Sequence, residues 1–319
     1  MAVSNAPTTE VRATSSRAAT DASWVGWAAG LSATFAFSTA TPTARAAIVG
    51  GMDPNALLTA RMALATLLMA VLIGVTNPKR LLIPPRGFYI ALGAGMLNGF
   101  AMICYFLGLT YLEASMAAMM ISLSPLAVLT YLALRGERVT YRHAVRMVLA
   151  LTGVYLLIGP SGDVNMVGVM WIAISLCAFA LQVSLLQWYL TEYDSMAVTF
   201  YVLVGMSVGI VGWWMVQGMP WTDPGVKGWG AILLLAIVGT FCARLLMFVS
   251  VARIGGGQTS MLSPLETLLA VIWSYLFLGE RLEPIQLVGG LFIVLSAVLA
   301  IQRLRRSRKR LRWRMWART

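Results

Sequence analysis

Apolar residues gather into ten long runs along this chain, each bounded by Pro, Gly or clustered charge. They are approximately Trp24–Ile48, Asn55–Val75, Gly87–Thr110, Ala114–Leu134, Tyr141–Ile158, Met166–Leu190, Ser195–Val216, Lys227–Val251, Gln258–Leu278 and Pro284–Ile301. A helix needs about 20 apolar residues to cross roughly 30 Å of hydrocarbon, and these runs hold 18 to 25 residues each. The joining segments, such as TNPKR, GPSGD and TEYD, are too short to hold an inserted soluble domain. The predicted fold class is an all-α integral membrane protein with ten transmembrane helices.

Residues 1–23 are polar and rich in Ser, Thr and Ala, and are expected to form a disordered tail. The run that follows is too long for a signal-peptide core, so cleavage is not expected. Composition agrees with the hydropathy pattern: 59% of the 319 residues are hydrophobic and 11% charged, against about 25% charged in soluble domains. Mean hydropathy is +0.78. Such a chain cannot clothe a water-facing surface.

Charge then orients the helices. Ten crossings put both termini on one side, which carries Arg12, Arg17, Lys79, Arg80, Arg86, Arg135, Arg138, Arg142, Arg146, Arg253 and the basic C-terminal tail, 19 basic residues in all. The other side carries three, Arg45, Lys227 and Arg281. Positive charge marks the cytoplasmic face, so both termini are expected in the cytoplasm and the protein in a bacterial plasma (inner) membrane. The tail, residues 302–319, includes nine basic residues and no acid. It follows an apolar helix directly, so anionic lipid headgroups are its expected partner rather than nucleic acid. Cys104, Cys177 and Cys242 lie far apart in apolar stretches without metal-ligand or disulfide spacing. They are expected to be buried thiols, and no metal or cofactor is implied. His143, the single histidine, sits among arginines near a helix end and is expected at the surface.

The chain also repeats itself. ISLSPLAVLTYLALRGERV (121–139) and SMLSPLETLLAVIWSYLFLGERL (260–282) both open with LSPL and close with GER. The copies end the fourth and ninth runs, five crossings apart, so they point in opposite directions through the bilayer. That predicts two inverted five-helix repeats, residues 24–158 and 159–301, a design that places a substrate site near the midplane between the halves. Together with the GE-terminated runs at Gly136-Glu137 and Gly279-Glu280, ARMALATLLMA (60–70) and ARIGGGQTSMLSPLETLLAVIWSYLFLGERL (252–282), the ten-helix plan resembles an EamA-type member of the drug/metabolite transporter superfamily. The resemblance covers nearly all of 24–301. It implies carriage of metabolites, with export favoured. It also implies Pro directly after the acid at 266, where this chain has Thr267 and carries its proline earlier, at Pro264.

Ionisable residues inside a membrane run are costly and usually face a cavity or a partner. Arg61, Arg244 and Glu266 qualify. Counted from the turn near residues 254–257, Arg244 and Glu266 lie about equally deep, at a rise of about 1.5 Å per residue. Equal depth on adjacent helices permits a direct ion pair between them as a structural lock; the alternative is that both line a binding site. In the second case an arginine meets an anionic group of the substrate, and Glu266 takes an ammonium or a proton. Asn98 and Tyr105, seven residues apart on one helix face, with Gln182 and Trp273, complete the substrate-binding candidates. The small residues Gly93, Gly95, Gly99, Gly205, Gly209 and Gly212 are expected to serve close helix packing.

Several function classes fall away. The chain has no Walker sequence and hence no ATPase of its own, and the single internal acid does not build the paired acid–base chemistry of an enzyme. A drug-cation exporter wants an acid in its first crossing, which here has none. The reading that remains is a secondary-active transporter of a small polar metabolite, such as an amino acid or organic acid. It would act by alternating access as an exporter or exchanger, with proton coupling through Glu266, and as a monomer or homodimer. The competing reading is a non-transporting membrane scaffold or lipid-handling protein that docks through its basic tail.

Overall fold

The computed structural model describes residues 9–299 except 77, 135–140, 159–163, 191, 220, 222, 255–258, 260–261 and 297. Regular structure among the described residues is entirely helical, as lipid demands of a spanning chain, whose backbone groups must bond within their own segment. In chain order the helices are α1 (Thr9–Ser38), α2 (Ala40–Val49), α3 (Pro54–Thr76), α4 (Pro85–Tyr111), α5 (Ala114–Ile121), α6 (Ser124–Leu134), α7 (Tyr141–Ile158), α8 (Met166–Tyr189), α9 (Ser195–Val216), α10 (Gly225–Leu233), α11 (Ala243–Ile254), α12 (Ser263–Trp273) and α13 (Pro284–Ser296). Two stretches of wider π-helix, Leu234–Cys242 and Ser274–Leu278, continue α10 into α11 and extend α12.

Local chemistry sets these starts and breaks. The Asp194 carboxylate accepts from the amides of Met196 and Ala197, both at 3.0 Å, and opens α9; Asn165 does the same for α8 through Val167. Pro54, Pro85 and Pro264 sit at helix starts, where a missing N–H costs nothing. Within runs, proline instead divides the helix because it cannot donate to the preceding turn. Pro42 follows the break between α1 and α2, where the Ser38 and Thr39 hydroxyls donate to the carbonyls of Phe35 and Ala36 at 2.8 Å. Pro125 follows the break between α5 and α6, where Ser122 donates to Met119 at 2.6 Å.

The core is drawn from both halves of the chain: Leu57, Leu58, Met62, Met69 and Ile73 of α3, Phe106 and Leu109 of α4, Ile172 of α8, and Leu203 and Met206 of α9. Helices α4 and α9 approach most closely through glycine. A Cβ added at Gly95 would run into the Val202 carbonyl and the Gly205 Cα, and one at Gly99 would meet the Met206 backbone. Of the six glycines expected to serve packing, Gly93 and Gly212 instead face open space. Apolar side chains such as Leu67, Val71, Leu287, Leu291 and Leu295 point outward, as a lipid-facing surface requires.

Among the described residues, six stretches are long and apolar enough to cross a membrane: Pro54–Thr76, Pro85–Tyr111, Ala114–Tyr131, Met166–Tyr189, Met196–Val216 and Gly225–Ile254. The other four predicted runs are helical over most of their described residues, but fall short of that measure. Two expectations need correction. Helix α1 starts at Thr9, well ahead of the predicted run, so much of the stretch expected as a disordered tail is helical; its alanines propagate the helix at no side-chain entropy cost. Cys177 is exposed rather than buried, since its face of α8 points outward. The start of the ninth predicted run, residues 258 and 260–261, lies outside the described residues, and α12 is described from Ser263. The first GER segment, the His143 side chain, the Gly159–Asp163 connection and the basic tail lie outside the described residues.

Candidate functional site

Arg61, in the second turn of α3, is 6% exposed. Its Nε–H donates to Thr240 Oγ1 at 2.9 Å, and the Thr240 hydroxyl donates in turn to the Leu235 carbonyl five residues back, also at 2.9 Å. The second bond has the spacing of the π turn that carries it. The guanidinium carbon stands 5.9 Å from the centre of the Phe106 ring. Arg244 follows Thr240 by one helical turn at the start of α11, within electrostatic reach of Arg61. Its Nε is buried and has no hydrogen-bond partner.

Of the two alternatives for Arg244 and Glu266, the direct ion pair is not formed among the described residues. Glu266 falls in the first turn of α12, one turn after Leu262 and two residues after Pro264. Glu266 is within electrostatic reach of the Tyr105 hydroxyl, as is Arg61. Tyr105 is buried on α4 and shares a 2.9 Å hydrogen bond with Thr41 of α2. Thus Arg61, Arg244, Tyr105 and Glu266 gather into one group. Trp273 joins its edge: the indole N–H donates to Ser38 Oγ at 3.0 Å, and the ring meets Phe35 edge-on with centres 5.2 Å apart.

Asn98 and Gln182 do not join the group in the same way. Both are buried, but the Asn98 amide donates to the Met206 sulfur at 3.1 Å, which ties it to the α4–α9 seam. No hydrogen bond among the described residues links Gln182 to Arg61 or Tyr105.

Sequence reasoning missed a second cluster. Gly279 ends the π turn after α12 with φ of 69°, a left-handed conformation that glycine adopts without penalty. The chain then swings Glu280 onto the start of α5. One carboxylate oxygen accepts from the Ala114 amide at 2.9 Å, and the other from the Ser115 amide and hydroxyl at 3.0 and 2.8 Å. Helix α5 has no cap from its own preceding residue, Glu113, so Glu280 supplies one from far along the chain. Burial and the neighbouring Glu280 charge hold the Glu113 carboxyl above its ordinary range, while Arg45 pulls it back down. Arg45 itself donates to the Leu109 carbonyl. The repeated GE pair was the available signal, but a sequence names no partner for it.

Two consecutive segments of the chain, residues 23–159 and 166–302, each match the EamA-like transporter family. The chain belongs to that family. It is 24% identical to an uncharacterized transporter of Archaeoglobus fulgidus over 66% of this chain and 75% of that protein. It is 25% identical to the uncharacterized transporter YcbK of Bacillus subtilis over 78% of this chain and 84% of the other. A solved crystal structure at 18% identity shares the fold, with a TM-score of 0.59 over 90% of this chain and 98% of its own. Family membership makes this an integral membrane transporter. With the two EamA repeats delimited, the site acquires a place: the bonds Arg61–Thr240, Trp273–Ser38, Glu280–Ala114, Asn98–Met206 and Thr66–Ser207 each join one repeat to the other.

Proposed function

We propose that this EamA-family protein is a secondary-active carrier of a small polar metabolite, an amino acid or organic acid, working as an exporter or exchanger by alternating access. Its ten predicted runs cross the bacterial plasma membrane as two inverted five-helix repeats, with both termini in the cytoplasm. The substrate site lies between the repeats, built by Arg61, Tyr105, Arg244, Glu266 and Trp273, with Asn98 and Gln182 on its margins. One observation carries this reading: ionisable side chains from both repeats converge in the bundle interior, and one of them, Arg244, keeps a buried nitrogen without a partner. Intramembrane charge is expensive, and without a ligand this arrangement has little structural justification.

Glu266 is the proposed coupling group. It sits in the first turn of α12, within reach of Tyr105 and free of an arginine partner among the described residues, so a proton and a substrate ammonium can compete for it. Purified protein in proteoliposomes, assayed by counterflow of labelled amino and organic acids under an imposed pH gradient, tests both claims. Wild type is expected to accelerate flux of at least one such compound, and Glu266→Gln to flatten its dependence on the gradient. Flux no faster than in empty liposomes across the panel refutes carriage. A gradient dependence unchanged in Glu266→Gln removes the proton from the cycle.

A further inference from the structure

The charges around the proposed site do not balance, and the imbalance has a sign. Arg61 is fixed by Thr240 through Nε, the guanidinium nitrogen nearest its own backbone, so the tip of the side chain remains the part available to a ligand. Thr240 and Arg244 are four residues apart and share a face of the eighth run. Fixing Arg61 on Thr240 therefore places it beside Arg244, within electrostatic reach. No acid forms an ion pair with either arginine among the described residues. Glu266 and Glu280 both lie within electrostatic reach of Tyr105 rather than of the arginines, and Glu280 is already held by the Ala114 and Ser115 donors. The surplus is therefore local: at the two arginines the charge is positive, whatever the protonation of Glu266.

We infer that the carried species is a net anion, held by carboxylate oxygens on Arg61 and Arg244. This rests on the carrier reading above and narrows it. A zwitterion such as alanine adds no net charge and leaves the surplus as it was. An amine enlarges the surplus. A dicarboxylic acid, or an amino acid with a second carboxylate, offsets it, and suits two guanidiniums better than one because each can hold a carboxylate in a two-pronged pair. Between those two, an amino dicarboxylate also gives the Glu266 carboxylate an ammonium to bind. Like charge buried without an acid is also unfavourable in the empty protein, so the arginine pair favours the ligand-bound state over the empty one.

The experiment uses full-length protein in lipid nanodiscs and reads thermal unfolding with glutamate, aspartate, succinate, malate, alanine, leucine, lysine or putrescine added. A ligand that binds the folded state raises the unfolding temperature by mass action. Stabilisation is expected from the dicarboxylates and not from alanine, leucine, lysine or putrescine, and Arg244→Met is expected to weaken the anion response at least tenfold. Because Nε of Arg244 bonds nothing, ligand-free Arg244→Met should unfold at or above the wild-type temperature, whereas removal of a structural arginine would lower it. Stabilisation by zwitterions or amines instead of anions overturns the inference. So does the absence of any response to the dicarboxylates, or an anion response that survives Arg244→Met. Succinate and aspartate arms distinguish a plain dicarboxylate from an amino one. If dicarboxylates bind and wild-type proteoliposomes move none of them, the carrier reading falls while the anion site stands.

Discussion

Replacing Glu280 by Ala removes, in one step, the cap that joins the end of the ninth run to the start of α5. The carboxylate accepts three hydrogen bonds, from the amides of Ala114 and Ser115 and from the Ser115 hydroxyl, at 2.8 to 3.0 Å. Hydrogen bonds to a charged group contribute about 1.5–3 kcal/mol each when fully buried, and a side-chain helix cap alone about 0.5–2 kcal/mol. The cluster is only partly buried, so water reaches the freed amides and the three contributions do not add. A net loss of about 2–3 kcal/mol is the reasonable sum. Glu280→Gln keeps one acceptor oxygen and turns an NH2 group toward the other amide, and should lose about half as much. Ser115→Ala, which removes one bond of the three, should lose about 1 kcal/mol. The assay is reversible unfolding in mixed micelles as SDS is raised, read by tryptophan fluorescence, with a double-mutant cycle between Glu280→Ala and Ser115→Ala to isolate their coupling. Glu280→Ala within about 0.5 kcal/mol of wild type, a margin typical of surface substitutions, would mean that water replaces the carboxylate at no cost, and that the cap joins nothing.

Three further outcomes follow from the same structure. The Glu113 carboxyl titrates above the ordinary 4.5 because of burial and the nearby Glu280 charge; a raised acid favours the folded state only while protonated. Its contribution is therefore present at pH below about 4.5 and lost as pH rises through the folded value. Wild-type stability relative to Glu113→Gln should decline across that window, and a flat difference curve contradicts the assignment. Gly95→Ala should destabilise by about 1–3 kcal/mol through overpacking against the Val202 carbonyl, whereas Gly93→Ala, facing open space, should be neutral or slightly stabilising; equal effects in an unfolding titration would place the α4–α9 seam elsewhere. Deleting Arg303–Thr319 should leave counterflow in proteoliposomes within about twofold of wild type, less than the 1.4 kcal/mol that marks a tenfold change, since none of the site residues lies there. Loss of function on deletion favours a scaffold docked by its tail.

Much of the fold is legible because lipid simplifies the code. A membrane helix is read from hydropathy over about 20 residues, and Pro42, Pro125 and Pro264 mark where helices break or begin. The π turns at Leu234–Cys242 and Ser274–Leu278 have no comparable signal. They differ from ordinary helix by one residue per turn, and the feature that fits the first of them, a Thr240 hydroxyl serving a carbonyl five residues back, uses a side chain equally at home in an α-helix. At the site, Arg61, Arg244 and Glu266 stand out as ionisable residues in apolar runs, yet their partners do not. Counting residues from a turn gives Arg244 and Glu266 similar depth and so permits a pair. Depth alone does not say which way each side chain turns, and Glu266 lies in the first turn of α12 without an arginine partner among the described residues. Glu280 was visible as half of a repeated GE pair, and its contact with Ala114 is a pairing between halves that no local pattern encodes.

The bonds between the two repeats fall into two physical kinds, and the division bears on how a carrier of this plan would move. Along α4 and α9 the contact is backbone against backbone: Gly95 meets Gly205, and Gly99 meets the Met206 main chain. Such a seam has nothing to rearrange, because no rotamer change relieves a clash between Cα atoms, and packed surfaces slide poorly when they interlock. The contacts of Glu280 with Ala114 and Ser115 and of Trp273 with Ser38 are polar and partly buried. Each can exchange its protein partner for water at a small net cost, since a hydrogen bond in a wet setting is worth about 1 kcal/mol. For the alternating access proposed here, the glycine seam is therefore the element suited to hold while the repeats tilt, and the Glu280 end the element suited to part. A ligand that binds Arg61 and Arg244 more tightly in one arrangement than in the other shifts the balance between them by that difference and no more. The charge of the substrate and the strength of the Glu280 cap thus bear on one equilibrium.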